Sequence, residues 1–314
     1  MAVFQTFAEL PATGLGPIGW GGTIREDLQD FITNVSPQDV PLLSGLRQVR
    51  VNSVFVEWLE DQLPERGTNA VNEGVAFTET TVSLGVRCHN HVQTFYQAGM
   101  ISDLERAVGH AGVGDPYVYE EHKKFLQLRG DIEHAIHRGT MVTGSSSVPR
   151  QLAGILNIPG GHVTVTSAFS LGDTVGGEDA FNGMLEVMYN LGDVQPTELY
   201  CGPRIKRKIA KFSTKVQRNI PAADRRQVLS VDVYDSDFGT TRIYLSRDQL
   251  QRADNLCSWA VIDPRYLLTG WLRPMSRENL SRDGLRDRFQ MSAAATLIFK
   301  TKKAVVGAIH KEYA

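Results

Sequence analysis

The pattern of hydrophobic and polar positions between residues 115 and 139 predicts one long amphipathic helix. Asp115 suits the N-cap, Pro116 the first helical position, and Gly139 a left-handed residue past the end. At about 1.5 Å per residue the helix is about 35 Å long. We therefore expect a spine lying across a sheet, and Gly130 in its middle indicates close packing or a bend. The spine carries one narrow apolar stripe, made of Val118, Phe125, Leu128, Ile132 and Ala135.

Two runs of β-branched and aromatic residues, Val49–Glu60 and Val86–Ile101, predict strands. Between them, residues 61–81 are polar, rich in glycine and threonine, and too poor in apolar surface to form a core. We expect a long two-stranded hairpin with a flexible tip. Because an isolated hairpin is only marginally stable in water, this one needs a neighbour to lie on. The main large apolar residues of the tip are Val71, Val75 and Phe77.

Residues 160–263 have the pattern of a separate α/β unit. Apolar spacing predicts a helix over residues 181–191, and β-rich runs predict strands at 197–201, 228–234 and 241–245. This unit interrupts a chain that is otherwise built around the spine and its strands.

From Pro264 onward the pattern is that of strands. Apolar runs cover residues 265–275, 289–300 and 304–310, with an Asp-Gly turn at Asp283 between the first two. They predict a sheet of three or more strands near the C-terminus. The spine is the amphipathic helix available to cover that sheet.

Residues 1–48 show little regular pattern, and an arm of this length without its own core is expected to lie on something else. Gly14, Gly16 and Gly19 spell G-x-G-x-x-G, the fingerprint of dinucleotide binding. The context does not support that chemistry, because no buried strand precedes the motif and Pro17 lies inside it. We therefore expect this stretch to bind no dinucleotide. The same glycine motif is the basis of a weaker, alternative hypothesis, that the protein is a nucleotide-binding enzyme.

Composition and charge exclude several classes of protein. The 33 basic and 35 acidic side chains nearly cancel, which argues against a dedicated nucleic-acid wrapper or a membrane-surface protein. Three distant cysteines favour a reducing, intracellular compartment over a disulfide framework. The N-terminus lacks the features of a signal peptide, and no apolar run approaches the roughly 18 residues of a membrane span. We expect a cytoplasmic protein without a membrane partner.

Two histidine pairs are candidate metal ligands. His89 and His91 share one face of a strand, whereas Cys88 turns to the other, and two histidines without a third ligand make a poor site. In the spine, His134 and His137 lie three residues apart beside Glu133, but the di-iron pattern Glu-x-x-His is absent. We interpret the spine histidines as a solvated pair and expect no metal and no cofactor.

The strongest positive patch follows Gly202, where Pro203 begins a helix that extends to Lys211. Its charged face supports two hypotheses. One is nucleic-acid binding; the other, which we favour because no aromatic residues interleave with the charges, is a solvated face or a contact between subunits. The face includes Arg204, Lys206, Arg207, Lys208 and Lys211.

Taken together, the order of elements resembles that of the major capsid proteins of tailed bacteriophages, which have the Hong Kong 97 type fold, and in particular the SU10-like major head protein family. The resemblance covers nearly the whole chain and depends on the order and spacing of several motifs. These motifs are ITNVSPQDVPLLSG, VEWLEDQL, the pair Asn90 and Gln93, DIEHAIHRG, VPRQLAGIL, VDVYDSDFGT and SRDGLRDRFQMSAAATLIFKTKKAVVGAI.

The resemblance implies an α+β fold with four parts. These are an N-terminal arm (1–48), an extended β-hairpin loop (49–100), a peripheral domain with the long spine helix (101–157 and 264–314), and an inserted axial α/β domain (158–263). One departure from the family pattern is that this sequence shows no long helical N-terminal extension that could serve as a fused scaffold. Scaffolding by a separate protein and earlier removal of a pro-segment are both left open.

The resemblance also implies a function. The protein would self-assemble as pentamers and hexamers into the icosahedral shell that encloses the DNA of a tailed bacteriophage, in the virion and, during assembly, in the host cytoplasm. Its implied partners are other copies of itself, a scaffolding protein, a portal, a decoration protein and packaged DNA bound without sequence specificity. No catalytic motif appears, so we expect no enzyme. The candidate assembly contacts are Arg66, Val71, Val75, Phe77, Arg204, Lys206 and Arg207.

Overall fold

The spine is present as expected and lies against a sheet in this computed structural model, which describes residues 36, 38–63, 66–68, 70–76, 85–110, 112–166, 175–210, 212, 232–248 and 256–311. The helices are α1 (Pro41–Gly45), α2 (Asp103–Ala107), α3 (Pro116–Arg138), α4 (Val175–Asn190) and α5 (Pro203–Ile209), with short 3-10 turns at Ile155–Asn157 and Lys302–Ala304. The strands are β1 (Arg47–Arg50), β2 (Phe55–Glu60), β3 (Val86–His91), β4 (Gln93–Ser102), β5 (His162–Thr166), β6 (Glu198–Cys201), β7 (Val233–Ser236), β8 (Gly239–Leu245), β9 (Leu256–Ile262), β10 (Leu267–Leu280), β11 (Arg286–Phe299) and β12 (Val305–Lys311).

The described strands form three sheets. One has the order β1-β10-β11-β4, a second has the order β5-β12-β9-β6-β8-β7, and β2 pairs with β3 alone. The spine, α3, crosses β4 and β11 of the first sheet, where Leu128 and Ile132 share a core with Phe95 and Phe289. The second sheet has its own core with α4 and α5, centred on Trp259.

The two strand runs near the hairpin are each split. Residues 47–50 pair in parallel with β10, whereas residues 55–60 leave that sheet and pair with β3. The second run divides in the same way at Val92, whose N–H donates to the Val54 carbonyl at 2.9 Å. Each predicted strand therefore supplies one segment to the main sheet and one to the hairpin.

One strand is paired differently from the sequence expectation. β10 and β11 pair as predicted, but β12 lies in the second sheet between β5 and β9. The prediction of a single C-terminal sheet of three strands is therefore wrong for the third. The division of the chain into arm, loop, peripheral and axial domains stays a prediction.

The ends of the spine show why its sequence terminates where it does. The Asp115 carboxylate accepts a hydrogen bond from the N–H of Tyr117 at 2.9 Å, as an N-cap should. Gly139 is not left-handed, because its φ is −53°. A Cβ there would lie 2.5 Å from the carbonyl oxygen of Leu152. Position 139 therefore requires glycine because the backbone of Leu152 comes so close to it, and not because the chain adopts a left-handed conformation there.

The apolar stripe of the spine is buried along only half its length. Leu128, Ile132 and Ala135 are buried, whereas Val118 is 58% exposed and Phe125 36% exposed. Gly130 is not closely packed, since a Cβ built on it would meet nothing within 4 Å. The expectation of close packing was therefore wrong, and a bend at Gly130 stays a prediction. The N-terminal half of the spine therefore presents apolar surface to the outside.

Candidate assembly surfaces

The hairpin is fixed to its own subunit at its shaft. The Trp58 ring meets Phe299 edge-on, with 4.8 Å between ring centroids. The Glu60 carboxylate accepts a hydrogen bond from the Thr301 hydroxyl at 2.5 Å, and Lys303 donates to Gln62 at 2.8 Å. The neighbour that the sequence required is thus supplied, for the shaft, by the C-terminal part of the same chain.

The tip of the hairpin is exposed over the residues that the structure describes there. Leu63 is 88%, Val71 76% and Val75 58% exposed. Gly74 has a φ of +83°, which allows a turn in which the N–H of Val75 donates to the carbonyl of Asn72 at 3.4 Å. Arg66 is also exposed, and Phe77 lies outside the described residues. The tip therefore presents isolated aliphatic side chains to solvent.

An open apolar groove runs beside the exposed half of the spine, between α3 and β10. We call it the spine groove. One part has a volume of about 340 Å³, and the adjoining part beside β1 about 710 Å³. An ion pair of 3.0 Å between Arg277 and Glu121 borders it. The groove is lined chiefly by apolar side chains, including Val49, Val118, Phe125, Trp271, Leu272, Pro274, Met275 and Met291.

The basic helix α5 presents part of its charge outward. Ile205 and Ile209 are buried against the second sheet, while Arg204 and Arg207 are exposed. Lys206 is half-buried and contacts Asp232 at 2.7 Å. The predicted assembly residues thus fall into two groups, the hairpin tip and the surface of the second sheet's helix layer.

Asn90 and Gln93, which contributed to the family resemblance, anchor the root of the hairpin. The buried Asn90 amide donates to the carbonyls of Leu297 at 2.7 Å and Ala153 at 3.1 Å. Its oxygen accepts from the N–H groups of Ala153 at 2.9 Å and His91 at 2.8 Å. Gln93 accepts from the N–H of Leu152 at 3.2 Å. Together they join β3, β4 and β11 to the loop that follows the spine.

The strand histidines are paired with an aromatic ring. His89 and His91 face the same way, as alternation predicts, and the Phe55 ring lies 4.9 and 5.2 Å from their rings. Burial lowers the pKa of His91, and the positive charges of His89 and Arg150 lower it further. Among the described residues, no three side chains of the metal-binding types come together. This pair packs against Phe55 in the structure.

The spine histidines are not a solvated pair, and that interpretation was wrong. His134 is half exposed and lies 3.6 Å from Asp248, but His137 is completely buried together with Glu133. The two Glu133 oxygens accept from the N–H groups of Leu42 at 2.9 Å and Leu43 at 2.6 Å. The sequence did carry a signal, because Glu133 and His137 lie one turn apart beside the buried stripe.

The described part of the chain contains no helix long and apolar enough to cross a membrane. No curated protein matches the chain by sequence. Its structure is similar to that of Gordonia phage Cozz, with a TM-score of 0.63 and 11% identity over 100% of this chain and 99% of that one.

Two further capsid structures share the fold. The mature capsid of bacteriophage PhiM1 gives a TM-score of 0.61 at 12% identity, covering 96% of this chain and 98% of that one. The capsid of the Cyanophage P-SCSP1u gives 0.60 at 13%, covering 99% and 100%. The α+β architecture is thus that of phage capsid proteins. A family model for the SU10 major capsid protein matches residues 3–310, and the chain belongs to that family. It is a major capsid protein, the subunit of the icosahedral shell of a tailed phage.

Proposed function

We propose that the shell is built by docking the hairpin tip of one copy into the spine groove of an adjacent copy. The observation that carries the proposal is the pairing of two exposed apolar features on one chain. Val71 and Val75 project from the tip, and Val118 and Phe125 line an open groove. In a particle of many identical subunits, each copy offers both surfaces. The arrangement supports rings of five and six that close into a shell.

The energy of one such contact is modest, and its repetition is what matters. Burying an aliphatic side chain contributes about 1.5 to 3 kcal/mol. Ordering a tip that is exposed in the free subunit offsets part of this, leaving about 1 to 2 kcal/mol for each contact. Because every subunit in a ring makes and receives the contact, small losses add up around the ring. Loss of the tip contact should therefore prevent assembly while leaving the subunit folded.

The remaining partners follow from the same function. Arg204, Lys206 and Arg207 on α5 would contact acidic side chains of adjacent subunits, and basic side chains facing inward would contact packaged DNA without sequence specificity. A scaffolding protein, a portal and a decoration protein would complete the particle. Assembly would take place in the host cytoplasm and the product is the virion.

The test compares three variants of the purified subunit. Val71→Asp and Val75→Asp together alter the tip, Phe125→Asp alters the groove, and Val187→Asp on α4 is the control because Val187 is similarly exposed, at 46%. We expect the tip and groove variants to melt like the parent but to form no shells by negative-stain microscopy and sedimentation. Val187→Asp is expected to assemble normally.

Normal particle yield from both the tip and the groove variants would refute the docking proposal.

DNA affinity is measured as a function of salt for the parent and for a double Arg204→Ala, Arg207→Ala variant. The nucleic-acid hypothesis expects a loss of affinity and a shallower salt dependence in that variant. Unchanged affinity would remove α5 from DNA binding.

A further inference from the structure

A buried carboxylate holds the point where the N-terminal segment joins the subunit. The helix α1 starts after Val40, whose side chain makes no capping hydrogen bond. The backbone N–H groups of Leu42 and Leu43 at its first turn would therefore lack partners. Glu133, 90 residues later in the chain, supplies both, with one oxygen on each N–H group. The spine thus caps a helix that cannot cap itself.

The chemistry of this contact is that of a specific attachment. The Glu133 side chain is completely buried, and a buried carboxylate is costly unless its oxygens receive hydrogen bonds. Two come from the N–H groups of Leu42 and Leu43, and Nε2 of His137 lies 3.1 Å from Oε1. The shorter of the two is 2.6 Å, from the N–H of Leu43. Such bonds fix both position and rotation.

Three parts of the chain meet at this contact. His137 lies 3.3 Å from the hydroxyl of Ser246, which follows β8, and its ring is 5.9 Å from Tyr200 of β6. The Tyr200 hydroxyl in turn donates to Glu198 at 3.0 Å. An ion pair also joins the arm to this region, but Arg247 and Asp39 are exposed and 3.9 Å apart, so it contributes little. Leu42, Leu43 and Leu46 add buried apolar area, which has no direction of its own.

We propose that Glu133 is a positioning residue for assembly. By fixing the start of α1 on the spine, it sets the direction in which the chain enters α1 at residues 38–40. The effect on shells follows from the expectation that the arm before this point lies on adjacent copies. Apolar burial alone would hold α1 near the spine without fixing its rotation. The effect on shells rests on the assembly described under the proposed function, whereas the attachment of α1 does not.

The test is Glu133→Gln, which keeps the size of the side chain and replaces one acceptor with an N–H₂ group. Hydrogen–deuterium exchange is measured on the purified subunit, and shells are counted by microscopy. We expect the amides of residues 38–46 to exchange at least tenfold faster than in the parent, with β10 and β11 unchanged, and shell yield to fall. Unchanged exchange in residues 38–46, or faster exchange with normal shells, would overturn the proposal.

The matched control is Asp263→Asn. Asp263 is also a completely buried carboxylate, but it lies in the loop before β10. It accepts from the backbone N–H groups of Gln195, before β6, at 3.0 Å and of Arg265 at 3.1 Å. Its substitution should speed exchange near Gln195 and leave residues 38–46 as in the parent. Faster exchange of residues 38–46 in this control would mean that general destabilisation explains the effect, and would overturn the proposal.

A second variant covers the case in which Glu133→Gln does not melt cooperatively. Glu133→Asp keeps the charge but is one methylene shorter, and it should raise exchange of residues 38–46 at least threefold. Parent-like exchange in that variant would overturn the proposal. The hairpin-tip variants are expected to leave residues 38–46 unchanged, so failure of tip docking and failure of the Glu133 attachment give different results.

Discussion

Replacing the buried Asn90 by alanine should destabilise the subunit more than replacing an exposed asparagine such as Asn157. The side chain is completely buried and makes four hydrogen bonds, two as donor and two as acceptor. Its removal leaves the N–H of Ala153 and the carbonyl of Leu297 without this partner inside the protein. A buried polar group left unsatisfied costs about 1 to 3 kcal/mol. We expect a total loss of about 3 to 5 kcal/mol in the free energy of unfolding.

The assay is urea unfolding followed by tryptophan fluorescence, because Trp259 and Trp271 are buried in the two sheets' cores. At roughly 2 °C per kcal/mol for a large chain, Tm should fall by about 6 to 10 °C. Asn157→Ala is the control. Asn157 also donates to two backbone carbonyls, those of Arg138 at 2.9 Å and Gly139 at 3.2 Å, but it is exposed. Its replacement should cost about 1 kcal/mol.

An Asn90→Ala variant no less stable than Asn157→Ala would refute the reasoning. It would mean that water reaches the freed groups or that the loop at Ala153 moves to pair them. Asn90→Asp separates these explanations, because it keeps the acceptor and the size of the side chain but removes both donors to Leu297 and Ala153. If burial is what makes the network strong, this variant should lose as much stability as the alanine variant near neutral pH.

Four further results are expected. Gly130→Ala should stabilise the subunit by about 0.5 to 1 kcal/mol in urea, since the spine interior has space for a methyl group; a loss of stability would show hidden strain. Folding lowers the pKa of His91, so its contribution to stability should be fully present above the unfolded pKa of about 6.5 and should decline as the pH falls toward the folded pKa. Thermal melts measured as a function of pH should show a smaller decline for His91→Gln. Replacing residues 65–78 by a short Gly-Ser linker should leave the thermal melt unchanged and abolish shells; unchanged particle yield would contradict this. Burial raises the pKa of Cys201 to about 12, so its thiol should react with iodoacetamide only after unfolding, as mass spectrometry can show.

The elements with strong local signals could be predicted from the sequence. The spine has a capping aspartate, a proline at its first position and a periodic stripe, and it forms over Pro116–Arg138. The helix predicted over residues 181–191 corresponds to α4, which ends one residue earlier at Asn190, and the strand predicted at 241–245 lies within β8. The strand predicted at 228–234 reaches the described residues only at its end, where β7 starts at Val233.

What the sequence could not show depends on contacts between distant segments. The sequence predicts Gly139 to be a helix-ending glycine in a left-handed turn. In the structure, glycine is needed there because a Cβ would clash with the carbonyl oxygen of Leu152, in the loop that follows the spine. β12 reads as one more strand of the C-terminal sheet, and only tertiary pairing places it beside β5. Likewise Glu133 has no local partner other than His137, because the groups it serves lie at the start of the described chain. The spacing of apolar residues predicts which face of a helix or strand is buried, but not which distant segment packs against that face.

The splitting of the hairpin strands explains how one chain can hold a rigid shaft and an exposed tip. Each strand run begins or ends in the main sheet, where β1 and β4 form its two edges, and continues into the hairpin. Asn90, Trp58 and Glu60 join that shaft to the C-terminal strands, so the direction of the hairpin is set by the core. Beyond Gln62 the described contacts to the rest of the subunit cease, and the apolar side chains at Leu63, Val71 and Val75 are exposed. The direction of the tip is set by its root, and its described residues show no contacts with the rest of their own subunit. This agrees with the proposed docking to an adjacent copy, and we expect that docking to be lost if either the root or the tip is altered.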